Sequence, residues 1–242
     1  MRRTPGFYYG WLIVGVSAVA NMLAWSVRST FALFYVALIQ EFGWPRADAA
    51  LGYSLSWLFL LVFGPLAGRA YDRFGARTVV AVGGLLLGFA LAATAHVEAL
   101  WQYCFTFGIL GAAGIAAVMM PAAAVIPHWF ARRRGTAMGI ISAGSSMSAV
   151  VFYPLNAWLI EAMGWRSALE VYGLIIVLGT VPAEALLYRG APADVGDVVD
   201  GSVAGPVVLS PPSTDAAEGA DAWTLRRALC TRAFWAVFAM WG

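Results

Sequence analysis

Arg28 is the residue whose chemistry constrains this chain most. It sits inside an apolar run from Trp11 to about Ile39 that holds no other charge. A guanidinium carries five N–H donors, no acceptor, and a charge that it does not lose in proteins. Placing one at the centre of a membrane helix costs about 2.5–3.5 kcal/mol on insertion scales. Such a group must face water, a carboxylate or an anionic solute, and its chemistry is binding rather than covalent catalysis. No Asp or Glu is expected at a similar depth in the other apolar runs: Glu184 falls near the end of the last, and Glu41 beyond the end of the first. The structural alternatives are a partner carboxylate outside these runs and a side chain that snorkels to the surface.

Spacing extends the polar surface around Arg28. Asn21, Trp25 and Arg28 step by four and three residues, which stacks them along one side of a helix. The same rule places Ser142, Ser146, Tyr153 and Asn156 on one side of a later helix, with Ala149 between. Hydroxyls and amides on such faces can line a solute cavity or make interhelical hydrogen bonds. Tyr53 and Met119 are further cavity candidates.

A second constellation is Gly64-Pro65-Leu66-Ala67-Gly68-Arg69-Ala70-Tyr71-Asp72-Arg73-Phe74-Gly75-Ala76-Arg77. Gly68 allows a close helix approach. Asp72 is placed to cap a helix N-terminus and to attract arginines. Gly75 permits a tight turn, and Arg73 and Arg77 flank it. Enzyme signatures are missing. The two histidines, His96 and His128, fall near helix ends, and no HExxH, GxSxG or intramembrane carboxylate pair occurs. Cys104 and Cys230 have no metal-type spacing. No cofactor and no metal are expected.

The elements that carry these residues are membrane helices. Of the 242 residues, 61% are hydrophobic and 12% charged, against about 25% charged in soluble domains. The net charge of +2 gives no reason to expect a nucleic-acid partner. A membrane helix needs about 20 mostly apolar residues. Stretches near 10–39, 48–70, 78–97, 100–127, 136–160 and 168–188 qualify. The first is too long for a signal-peptide core of about 7–15 residues. Residues 1–188 thus read as a six-helix transmembrane bundle. Pro, Gly, Ser, Ala and Asp dominate the next segment, so 189–228 reads as a flexible cytoplasmic linker. Residues 229–242 read as the start of a seventh helix, broken off before it spans.

All fifteen basic residues are arginines. With six crossings, Arg2, Arg3, Arg69, Arg73, Arg77, Arg132, Arg133, Arg134, Arg189, Arg226, Arg227 and Arg232 share one side, and only Arg46 and Arg166 lie opposite. That bias places the N-terminus and the linker in the cytoplasm. A weak repeat accompanies it. Pro65-Leu66 and Pro154-Leu155, and Gly75-Ala76-Arg77 and Gly164-Trp165-Arg166, are each 89 residues apart. The offset matches helix 2 to helix 5 and helix 3 to helix 6. Because three helices are an odd number, the second copy is inverted, a known transporter design.

The loop G-x-x-x-D-R-x-G-x-R resembles the signature of the major facilitator superfamily, although Ala76 stands where that family often has a basic residue. The resemblance implies that Gly68, Asp72, Arg73, Gly75 and Arg77 form a cytoplasmic latch on one conformer of an alternating-access cycle. A second set of motifs is similar to the monocarboxylate transporters and their bacterial relatives, including oxalate/formate antiporters. It comprises Tyr8-Tyr9-Gly10-Trp11, Ser26-Val27-Arg28-Ser29, Phe42-Gly43-Trp44, and His128-Trp129-Phe130 through Gly139. The likeness runs to about residue 188. It implies a secondary transporter of a small organic anion, with Arg28 matching a functional basic residue of helix 1. The implied partners are that anion, the lipid bilayer of an inner membrane, and a C-terminal half that would lie beyond Gly242. A drug or sugar exporter of the same superfamily shares the latch, and a non-transporting six-helix sensor or assembly subunit is the rival of another class.

Overall fold

The computed structural model describes residues 8–187, and every element in it is helical. The linker and the seventh helix expected at 189–242 lie outside the described residues. The first crossing is built from α1 (Tyr9–Ser29) and α2 (Phe31–Phe42) rather than one unbroken helix. Ser26, Ser29 and Thr30 cause the interruption. Their hydroxyls bond the carbonyls of Leu23, Trp25 and Ser26 at 2.6, 3.1 and 2.8 Å, so side chains compete with the helix ladder just beyond Arg28.

The next helix, α3 (Arg46–Phe74), is about 43 Å long and overshoots a hydrocarbon core of about 30 Å. At Gly75 the chain takes φ 76°, ψ 160°, a region open essentially to glycine alone, and turns into α4 (Ala76–Ala95). No side chain caps α4, so Asp72 does not play the capping role expected of it. The fourth crossing joins α5 (Leu100–Tyr103), a π-helical stretch (Cys104–Leu110) and α6 (Gly111–Trp129). Within the π stretch, the Thr106 hydroxyl bonds Gln102 O at 2.9 Å and accepts from Thr94 at 3.0 Å.

The last element, α7 (Arg134–Leu187), has 54 residues. A straight helix of that length would measure about 81 Å, nearly three hydrocarbon thicknesses. It folds back instead at Gly164, where φ is 81° and ψ 160°. Its two arms run opposite ways. Asn21 and Ser29 meet Ser145 and Ser148 in the same chain order, so the first arm is parallel to α1. Arg166 reaches Ala95, and Gly173 meets Gly88, so the second arm is antiparallel to α4. Among the described residues, five helical rods are long and apolar enough to span a bilayer, and the fold-back of the fifth makes six crossings.

The 89-residue offset holds in three dimensions. Gly75 and Gly164 share the same φ and ψ within 5°, and α3 with its internal Pro65 maps onto residues 135–163 with Pro154. The copies meet where α4 crosses the second arm. A Cβ built on Gly173 would lie 2.7 Å from Gly88 O, and one on Gly88 2.8 Å from Gly173 O. Small residues bring these backbones together where hydrophobicity alone does not favour helix over lipid.

Two clusters fill the bundle. One joins Ile13, Ala76, Trp129, Phe130 and Ala137 at the end that carries Arg69, Arg73, Arg77 and Arg132 to Arg134. The other runs through the middle to the far end and holds Leu23, Phe34, Leu87, Phe152 and Tyr172. At the far end Glu41 accepts from Trp165 Nε1 and pairs with Arg166 at 2.7 Å. Arg166 also donates to Ala95 O at 2.7 Å, closing the C-terminus of α4.

Candidate functional site

From α1, the Arg28 side chain points towards α3 and is 6% exposed. Its Nη2 donates to Ser56 O at 3.3 Å, where the Ser56 hydroxyl itself turns back to Tyr53 O at 2.7 Å. Nε and Nη1 are buried without a hydrogen-bond partner. No carboxylate pairs with Arg28 among the described residues: Glu41 pairs with Arg166, and Glu170 contacts His96.

Aromatic rings take the place of a counter-ion. The guanidinium carbon lies 3.9 Å from the Trp57 ring centroid and 6.0 Å from that of Tyr53. Trp57 also meets Trp25 at 6.4 Å, and Tyr53 stacks on Phe31 at 4.3 Å. An aromatic face contributes about 2 kcal/mol to a desolvated cation, which softens the burial of the charge but leaves two donor nitrogens unused. Trp57 is 45% exposed, so the cluster is open on its far side. Arg28, Trp25 and Tyr53 therefore come together, whereas Asn21, which spacing had joined to Trp25 and Arg28, turns to α7. Trp57 and Ser56 are the members that sequence reasoning missed, although Tyr53 and Trp57 stand one helical turn apart.

The other candidates are dispersed. Asn21 is 7% exposed and donates to Ser145 at 2.7 Å and to Ile141 O at 3.3 Å, so its amide serves helix pairing. Ser142, Ser146 and Tyr153 lie exposed on the first arm of α7. Asn156 is fully buried, bonds Phe152 O at 2.9 Å, and leaves Oδ1 unpartnered. Met119 packs against the larger cluster. The inward hydroxyls of the first arm are instead Ser145 and Ser148, which meet Asn21 and Ser29 and flank the expected Ser146. A helical wheel cannot say which flank of a polar stripe meets a neighbour.

The loop residues are open. Asp72, Arg73, Gly75 and Arg77 are exposed, and a Cβ on Gly68 would meet nothing within 4 Å. Neither Asp72 nor these arginines forms an ion pair among the described residues. At the same end, two motifs separated by over a hundred residues interlock. The Tyr8 hydroxyl donates to Trp129 O at 2.6 Å, and Trp11 packs on Phe130 at 5.0 Å. Arg134 Nε donates to Phe130 O at 2.6 Å and terminates α6. No group of three or more His, Cys, Asp or Glu is placed to hold a metal among the described residues.

Six alternating crossings with an inverted three-helix repeat and an unpaired intramembrane cation define a polytopic membrane protein of transporter type. The family model of the Major Facilitator Superfamily matches residues 14–242, and the chain belongs to that family. The chain is 29% identical over 183 residues to monocarboxylate transporter 11 of Mus musculus, covering 76% of this chain and 41% of that protein. It is 29% identical over 173 residues to monocarboxylate transporter 3 of the same species, covering 72% and 35%. It is 35% identical over 124 residues to the fujikurins efflux protein of Gibberella fujikuroi, covering 51% and 27%. The family and these relatives are transporters, not enzymes. The chain spans well under half the length of these relatives. Among solved structures, a bacterial homologue of the human lysosomal transporter Spinster, inward-facing and unoccupied, matches with a TM-score of 0.65 at 18% identity. That match covers 85% of this chain and 47% of that one, and it concerns the fold alone.

Proposed function

We propose that this chain forms the first six-helix half of a secondary active transporter for small organic anions, a monocarboxylate or dicarboxylate, working by alternating access. The observation that carries the reading is the buried Arg28 guanidinium, with two unpartnered donor nitrogens, aromatic cover and no carboxylate. A solute carboxylate would supply both the missing charge and the missing acceptors. Trp25, Tyr53 and Trp57 would shield the pair from bulk water. Asn21, Ser142, Ser146, Tyr153, Asn156 and Met119 stay as proposed cavity residues, with Asn21 also supporting helix pairing. Likeness to proteins named monocarboxylate transporters supports the substrate class.

In this reading a second six-helix half covers the open faces of α3 and of the first arm of α7. Gly68, Asp72, Arg73, Gly75 and Arg77 latch against it on the cytoplasmic side. The arginine-rich end lies in the cytoplasm of a cell with an inner membrane. A second reading, export of a larger metabolite, draws on the likeness to the efflux protein. Likeness to proteins named as transporters weighs against a non-transporting sensor or assembly subunit.

The test is uptake of labelled lactate, pyruvate and oxalate by the complete natural polypeptide that carries this chain. Arg28→Gln should reduce apparent affinity about 10- to 100-fold, the loss expected for a hydrogen bond to a charged group, with Arg28→Lys intermediate. Membrane insertion should not suffer, because glutamine is cheaper to insert than arginine. If none of the three anions moves, or if Arg28→Gln transports them like the wild type, the anion reading fails.

A further inference from the structure

Between α3 and α4, on the surface of α6, lies an apolar trough of about 450 Å³. Phe63 and Phe74 of α3 and Val82 of α4 form its walls, and Ala113 and Ala117 of α6 its floor. It exists because α3 and α4 each pack along α6 but scarcely against each other. The small floor residues keep it deep.

Its dimensions suit one kind of occupant. From Phe63 to Phe74 the trough runs about 16 Å along α3, half of a hydrocarbon core of about 30 Å. It therefore reaches from one membrane surface to the midplane. Dividing the 450 Å³ by that length gives a cross-section of about 28 Å². The space is wide enough for a single hydrocarbon chain.

Charge lies at the surface end. Arg69, Arg73 and Arg77 are exposed around the Gly75 turn, three cations against the one carboxylate of Asp72. The Arg73 guanidinium sits 5.3 Å from the centroid of Phe74, the ring that walls the trough. Basic groups above an apolar crevice between membrane helices are the arrangement that holds anionic lipid head groups.

The opening does not follow from the fold itself. In the second repeat the positions matching Phe63 and Ala70 are Phe152 and Leu159, which are 5% and 4% exposed. There Tyr172 stands where the first repeat has Gly83, and its ring packs on Phe152 at 5.9 Å. At these positions the second repeat is packed, whereas the first repeat, beneath the arginines, is open.

We propose that this trough binds one acyl chain of an anionic phospholipid from the leaflet at the arginine-rich end, with Arg73 and Arg77 holding its phosphate. The loop that serves as latch in the transport reading is then also a lipid-binding turn. The lipid site stands without that reading, because it needs only a membrane and this bundle.

The experiment uses the complete natural polypeptide, stripped of lipid in detergent and offered phosphatidylglycerol or phosphatidylcholine with identical chains. Retention is read by native mass spectrometry. The wild type should prefer phosphatidylglycerol by about five-fold for each engaged arginine. Joint Arg73→Gln and Arg77→Gln changes should lower phosphatidylglycerol to the level of phosphatidylcholine. Ala113→Leu, which raises the floor, should reduce retention of both lipids while circular dichroism shows the helices intact. A spin label at Ala70→Cys in bilayers should stay accessible to lipid-soluble oxygen. The proposal is overturned by equal retention of the two lipids in the wild type, by a preference that survives loss of both arginines, or by Ala113→Leu binding like the wild type. It is overturned equally by a spin label shielded from oxygen, since a protein segment would then fill the trough.

Discussion

A buried cation without an anion is a standing electrostatic demand, and Arg28 meets it in part with the faces of Trp57 and Tyr53. Quadrupole attraction of this kind grows as water is excluded, to about 2 kcal/mol. It is non-directional enough to leave Nε and Nη1 free for another acceptor. The prediction at this scale is a coupling. Trp57→Leu should lower stability in detergent, measured by thermal unfolding. In an Arg28→Leu background the same change should cost about 0.5–2 kcal/mol less. Absence of coupling in that double-mutant cycle would mean that the ring and the guanidinium are neighbours without being partners.

Among the elements, the two Gly-x-Arg turns carry the architecture. Gly75 and Gly164 hold φ and ψ that a side chain tolerates only at a cost of about 1–3 kcal/mol. Gly75→Ala and Gly164→Ala should each destabilise by that amount, and by similar amounts, because the two turns are copies. Gly139→Ala, inside a helix with nothing within 4 Å of the new Cβ, should be neutral or stabilising. Unfolding of the three variants side by side checks this, and indifference at Gly164 would count against the fold-back. The turns differ in their surroundings. Arg166 is committed to Glu41 and to the carbonyls of α4, whereas Arg77 is exposed and free of such ties. A fixed clasp at one end and open arginines at the other accord with the latch proposed for the arginine-rich end.

For the molecule as a whole, the described arginines gather at one end, apart from Arg28 in the middle and Arg46 and Arg166 at the far end. The orientation proposed from that gathering is testable in intact cells after Cys104→Ser and Cys230→Ser. A membrane-impermeant maleimide should label Glu98→Cys, at the far end, and spare Ala131→Cys until the membrane is opened. Both positions are exposed. Labelling of Ala131→Cys from outside would invert the topology and move the latch and the lipid trough to the other face.

The six crossings within the described residues, and their order, were legible in the sequence alone, because a bilayer imposes a length of about 20 apolar residues on each crossing. The sorting of arginines by side carries the proposed orientation in the same way. The repeat was also legible, through Pro65 with Pro154 and Gly75 with Gly164, since prolines and positive-φ glycines mark backbone geometry directly. Arg28 stood out because nothing else charged shares its run. Tertiary structure alone decided which polar residues meet. It drew Asn21 to Ser145, buried Asn156 while leaving Ser142 and Ser146 open, and set Trp57 over Arg28. It also left Asp72 without a cap to make and opened the trough above Ala113. The physical reason is the solvent. In lipid the apolar faces of a helix look alike to the pattern of hydrophobicity, so rotation about each helix axis is settled by the close fit of small residues such as Gly88 and Gly173 against particular neighbours.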